Sequence, residues 1–184
     1  MSDAREPAPA DILRFWREAG HDRWYKRDDA FDAEVRQRYL ELWRKAAAGE
    51  LSSWEASDDG ALALTIVLDQ FPRNMFRGTA RAFSTDALAL AAAKRAIERG
   101  FDRKIKLPER SFLYLPFEHS ENLADQETSL KLYEATKDKE LARWAKLHHD
   151  TIQRFGRFPH RNEILGRVST PEEIAFLDDG GFRA

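Results

Sequence analysis

The stretch GALALTIVLDQF, residues 60–71, sets the strongest limit on what this chain can become. Leu62, Leu64, Ile66, Val67, Leu68 and Phe71 leave almost no polar relief around a helical wheel, and Ser57, Asp58 and Asp59 precede them as candidate N-caps. A helix that is apolar nearly all round has no face to offer water, so other elements must wrap it. The rest of the chain supplies them. Val35, Tyr39, Leu42, Trp43 and Ala46 recur at helical spacing behind Asp32, read as an N-cap, and the run stops near Gly49. Ser84 or Asp86 opens the alanine-rich ALALAAAKRAIER, which Gly100 closes, and Ser120 begins a segment with Leu123, Leu130 and Tyr133 on one side. Leu141, Trp144, Ala145, His148, Ile152 and Phe155 align on a later helix ended by Gly156, so His148 faces the core and His149 lies at its edge. Thr170, Pro171 and Glu173 form a capping box for a short last helix. Strand-like alternation is scarce and connections such as KLPERS are short. The expected fold is all-α: one domain over residues 1–184, an antiparallel array of about seven to nine helices.

Composition narrows the function classes. The 184 residues are 42% apolar and 34% charged, with five Trp and twelve Phe, which suits a packed globule with a wet surface. A formal charge of −2, with bases and acids alternating along the chain, argues against a nucleic-acid partner. No stretch approaches the roughly 18 continuous apolar residues of a membrane span, and the N-terminus lacks a basic region followed by an apolar run. Neither a membrane nor a secretory route is expected, and the cytoplasm is the default location. The absence of cysteine excludes disulfides, thiolate metal ligands and a cysteine nucleophile. There is no G-x-S-x-G elbow, phosphate-cradling glycine loop or dinucleotide fingerprint. The two-histidine helix pattern of metalloproteases is missing as well, so no metal and no cofactor are expected.

Polar residues beside the core carry the functional signal. LDQFPRNMFRGTARAF, residues 68–83, holds Asp69, Arg73, Asn74, Arg77 and Arg81, and RFGRFPHRNEILGR, residues 154–167, echoes its Phe-Pro-basic-Asn pattern. Pro72 and Pro159 each suit the first turn of a helix. A helix over 72–82 would set Arg73, Arg77 and Arg81 on one face, where guanidinium groups repel unless negative charge lies opposite. That charge has two sources: acids such as Glu118, Glu121, Asp125 and Glu127, or a ligand. Asp69 needs donors if buried, and Arg73 one turn on is the nearest.

Several long motifs in one order resemble the bacterial domain of unknown function 924 family: LDQFPRNMFRGTARAFSTDALAL, ERSFLYLPFEHSENLADQETSLKLYE, HHDTIQRFGRFPHRNEILGR and STPEEIAFL, preceded by Phe15-Trp16 and RWYKRDDAFDAEV. The resemblance covers nearly the whole chain. It departs at Asn122, where an acid is expected, and at Thr128, where a base is common. It implies an all-helical, tetratricopeptide-repeat-like fold with paired helices about a concave surface, and brings no activity.

The leading expectation is one polar cleft for a small anionic molecule. Arg73, Arg77, Arg157 and Arg161 would grip phosphate or carboxylate with their forked donors, Asn74 and Asn162 would orient it, His160 would be a further ligand-binding residue, and Glu118 with His119 would supply any acid–base chemistry. The alternative is an interaction module that binds a peptide or protein on its concave face, with the arginines locked in structural ion pairs.

Overall fold

The computed structural model describes residues 5–183, and among them every regular element is helical. The α-helices are α1 (Pro9–Tyr25), α2 (Asp29–Ala47), α3 (Asp58–Met75), α4 (Asp86–Glu98), α5 (Ser111–Glu118), α6 (Leu123–Thr136), α7 (Lys139–Phe155) and α8 (Pro171–Asp178). They pack as two compact units. The first comprises the residues up to Arg77 together with Arg81–Leu113, and the second Gly78–Ala80 with Tyr114 onward, so the boundary falls within α5.

In the first unit α3 is the central helix that its composition demands. Every residue from Gly60 to Pro72 is buried, beneath α1, α2 and α4. Phe71 stacks on Tyr39 of α2 at 4.9 Å between ring centroids and meets Trp16 of α1 at 5.9 Å. From α4 only alanines are buried, Ala89, Ala92, Ala93 and Ala96, and side chains this small let the two backbones approach. Ser57 caps α3 by accepting the Gly60 N–H at 3.1 Å. Gly60 itself has no substitute, because a Cβ there would lie 2.0 Å from the Trp54 carbonyl oxygen.

Pro72 does not open a helix; it lies inside α3, which runs on to Met75. A proline has no N–H for the carbonyl four residues back, here that of Leu68. Thr85 replaces the missing donor, its hydroxyl bonding the Leu68 carbonyl at 2.6 Å while accepting the Trp43 indole N–H at 3.2 Å. The helix therefore survives the proline and ends soon after, and Arg81 falls in a separate 3-10 turn, Ala80–Phe83. Arg73, Arg77 and Arg81 thus do not share one helix face. Two caps also differ from expectation. Asp28 caps α2 by accepting the N–H groups of Ala30 and Phe31, since Asp32 is engaged elsewhere, and Thr85 occupies the N-cap of α4.

The second unit is built on the α6–α7 hairpin. Lys137 at φ 62 turns the chain, and Asp138 caps α7 through the N–H groups of Glu140 and Leu141. Tyr133, Ala145, Ile152 and Phe158 form the core, with Tyr114 edge-on to Tyr133 at 5.5 Å. The buried stripe of α6 is Gln126, Ser129 and Tyr133, whereas Leu123 stays 40% exposed. Gln126 is inside because its side-chain amide donates to the carbonyls of Glu118 and Ser120, both at 2.7 Å, where α5 ends with acceptors unsatisfied. Asn122, the residue at which the chain departs from the family pattern, caps α6, and Ser120 instead donates to the Asp125 carboxylate at 2.8 Å. Trp144 lies at the rim of α7, 41% exposed, under the guanidinium of Arg143. Gly156 ends α7 in the left-handed conformation, and the Thr170–Glu173 capping box opens α8.

Candidate functional site

Within the first unit the polar residues around Pro72 are joined to protein carboxylates. Arg73 donates both arms of its fork to Asp86, at 2.8 and 3.0 Å, and also bonds the Asp69 carbonyl at 2.7 Å. Asp69, 1% exposed, has its carboxylate held by the Gln70 amide at 2.6 Å with Arg73 at 3.3 Å. Burial lowers the affinity of the Arg73 guanidinium for its proton, but the adjacent Asp69 and Asp86 charges outweigh that and hold it charged. Asp32 accepts three bonds, from Asn74 at 2.7 Å and from the Arg77 fork at 2.6 and 2.9 Å. The partners of Arg73 and Arg77 are therefore Asp86 and Asp32, and not the acids of the 118–127 segment. Arg81 lies over Phe76 at 4.3 Å.

The second unit gathers Glu118, His119, Arg157, His160, Arg161 and Asn162. Two acids hold the 157–162 segment, one through its backbone and one through its side chains. Glu121 accepts the Phe158 N–H at 2.8 Å and grips Arg167 bidentately at 2.6 and 3.0 Å, while Arg167 returns a bond to the Phe158 carbonyl. Burial pushes the Glu121 carboxyl up, and its bonds from Arg167 and the Phe158 N–H bring it below the usual range. Glu173 receives the Arg157 fork at 2.6 and 2.8 Å, the Asn162 amide at 3.2 Å and the Thr170 N–H at 2.8 Å. The Arg157 bond above all holds its carboxyl near 2, with the Thr170 N–H adding to the effect. Glu173 thus serves α8 as the capping-box acid and at the same time ties both ends of the Phe-Pro-His-Arg turn.

Around that turn lies a cluster of imidazoles and rings. Glu118, the last residue of α5, and His148 on α7 are both buried, and a Glu118 carboxylate oxygen lies 2.8 Å from His148 Nδ1. The same nitrogen is 2.9 Å from the Trp144 carbonyl. A carbonyl only accepts, so Nδ1 carries a proton, and in the neutral form of the ring the lone pair lies at Nε2. This is the arrangement by which a carboxylate sets the tautomer of an acid–base histidine. His119 stands with its ring 6.4 Å from that of His148, and its carbonyl accepts a bond from Arg161 at 3.1 Å. Arg161 is buried, with its guanidinium 4.5 Å above the Phe158 ring. His160 belongs to the same aromatic group, its ring 5.6 Å from that of Phe158. Burial above all, then the Arg161 charge, push its pKa down to about 4, so it is a neutral imidazole at pH 7. Its Nδ1 is buried without a hydrogen-bond partner. Among the described residues no three His, Asp or Glu side chains converge to hold a metal, and no helix is long and apolar enough to cross a membrane.

A family model described as "Bacterial protein of unknown function (DUF924)" matches residues 12–181. The chain belongs to this family. It is also similar to a solved structure, that of the protein of unknown function ATU0120 from Agrobacterium tumefaciens, at 44% identity and a TM-score of 0.91 over 94% of this chain and 97% of that one. No curated protein matches the chain.

Sequence reasoning favoured His148 as a satisfied core histidine, with a cleft shared by Glu118, His119, His148 and His160 as the alternative, and placed the acid–base roles on Glu118 and His119. The contact between Glu118 and His148 joins residues of α5 and α7, which no local spacing reveals. The role of Glu173 as anchor of the Arg157–Asn162 turn was likewise hidden, because the capping box explains that residue fully by itself.

Proposed function

We propose that this family member binds a small carboxylate- or phosphate-bearing molecule at the imidazole cluster of the second unit, with acid–base chemistry centred on His148 Nε2. The observation that carries this reading is the double hold on His148 Nδ1 by Glu118 and the Trp144 carbonyl, which leaves Nε2 as the proton-accepting atom of a buried imidazole. The neutral His160 and the guanidinium of Arg161 border the same rings and supply donors and positive charge for an anion. His119 completes the set. Arg157 and Asn162 act as positioning residues, since their donors hold Glu173 and thereby the turn.

The test is a thermal-shift series with inorganic phosphate, acetate and larger carboxylic acids on the native protein and on the His148→Asn, His160→Asn and Arg77→Ala variants. The expected result is a ligand-specific rise in melting temperature that persists in Arg77→Ala and disappears in both histidine variants. A rise that both histidine variants retain rejects the site.

A second reading has its own observation. The forks of Arg73, Arg77 and Arg157 are all closed on protein carboxylates, as suits a tetratricopeptide-repeat-like scaffold whose surface takes a peptide. The absence of any small-anion shift, with arginine variants that melt lower, supports this second reading.

A further inference from the structure

The described chain ends by placing one of its own rings in the cluster. After α8 the pair Gly180-Gly181 turns the backbone: Gly180 has φ +79, and the Gly181 N–H bonds the Phe176 carbonyl at 2.8 Å. A Cβ on Gly181 would fall 2.3 Å from that carbonyl oxygen, so the turn requires glycine. The turn sets Phe182 against three rings. Its centroid is 4.4 Å from His148 at 62°, 5.8 Å from His160 at 82° and 6.3 Å from Phe158 at 57°. Edge-to-face geometries of this kind match the positive edge of one ring to the negative face of another, a preference specific to flat π systems. Arg183, next in the chain, bonds the Leu177 carbonyl at 2.9 Å and so fastens the tail in place. Phe182 remains only partly covered, and its contacts with the cluster are aromatic rather than polar.

From this geometry we infer that His148, Phe158 and His160 form a subsite for a planar aromatic ring, that Phe182 is a tethered occupant of it, and that the ligand class is an aromatic carboxylate or phosphate. The inference rests on the proposed anion site and adds the ring to it. Three observations support the pairing. The cradle already accepts a six-membered ring, the partner of that ring is the imidazole whose Nδ1 Glu118 holds, and the Arg161 guanidinium lies over Phe158, the third wall. A free ligand must displace Phe182, so the tail acts as an intramolecular competitor whose effective concentration lowers the apparent affinity.

The test uses benzoate as probe, with acetate and cyclohexanecarboxylate as controls, titrated by NMR of the histidine side chains in the full-length native protein and in Phe182→Ala. Benzoate should bind Phe182→Ala at least tenfold more tightly than the native protein, with shifts at His148 and His160. Acetate should bind the two equally, and cyclohexanecarboxylate should gain less than benzoate. Phe182→Leu, which keeps apolar volume without a ring, serves if Phe182→Ala melts early, and should show the same preference for benzoate. If acetate shifts His148 and His160 while benzoate gains nothing from the substitution, the ring subsite is wrong and the anion site stands. If no anion moves either histidine in any form, both fall.

Discussion

Replacing Thr85 by Val isolates the device that lets Pro72 sit inside α3. Valine matches threonine in shape, so the change leaves no cavity and removes only the hydroxyl. Two buried groups lose their partner: the Leu68 carbonyl, which has no helical donor because residue 72 is proline, and the Trp43 indole N–H. Each buried polar group left unpaired costs about 1–3 kcal/mol, so Thr85→Val should destabilise by about 2–6 kcal/mol in all. No capping energy is confounded with this, since the Thr85 side chain makes no capping bond to α4. Thr85→Ser retains the hydroxyl and should cost only about 1 kcal/mol for the lost methyl. Pro72→Ala restores an N–H for Leu68, so the cost of Thr85→Val should shrink by about 1 kcal/mol or more in that background. Urea denaturation with a common m-value measures the native protein and all four variants. A cost below about 0.5 kcal/mol for Thr85→Val, or an identical cost with alanine at 72, refutes the argument.

Other expectations follow from the same geometry. Arg73→Ala removes the positive charge that faces the buried Asp69 and should cost about 3–5 kcal/mol, whereas Arg77 is 39% exposed and Asp32 keeps its Asn74 bond, so Arg77→Ala should cost only about 1 kcal/mol, as read by melting of the two variants. The Glu173 carboxyl titrates near 2 in the fold against an ordinary value of 4.5. Its contribution is complete above about pH 4.5 and lost as pH falls toward 2, so Glu173→Gln should remove up to about 1.4 kcal/mol per pH unit from the slope of stability across that window in urea melts. Gly60→Ala forces a methyl against the Trp54 carbonyl and should cost about 1–3 kcal/mol in the same assay, although alanine is the better helix former.

The all-α class, the buried α3, the Ser57, Gly156 and Thr170 caps and the pairing of Asp69 with Arg73 were legible in the sequence, because each depends on residues within a turn or two of one another. What was hidden depends on distance along the chain. The wheel that put Leu123 and Trp144 inside could not register that the Gln126 amide is worth burying to satisfy carbonyls at the end of α5. Reading Asp32 as a cap failed because Asp28 already serves, which frees Asp32 for Asn74 and Arg77. The arginines were correctly seen to need negative charge, but which acid each meets is set by packing. For His148 the apolar face gave the burial, and only the fold supplies Glu118.

The most direct measurement of the central claim is long-range 1H–15N NMR of the histidine side chains near pH 7, with His148 assigned through His148→Asn. A His148 protonated at Nδ1 with a bare Nε2, alongside a neutral His160, is the expected result, and small carboxylates or phosphate should then perturb both rings. A His148 that carries its proton on Nε2, and rings unmoved by any of these anions, would contradict the account.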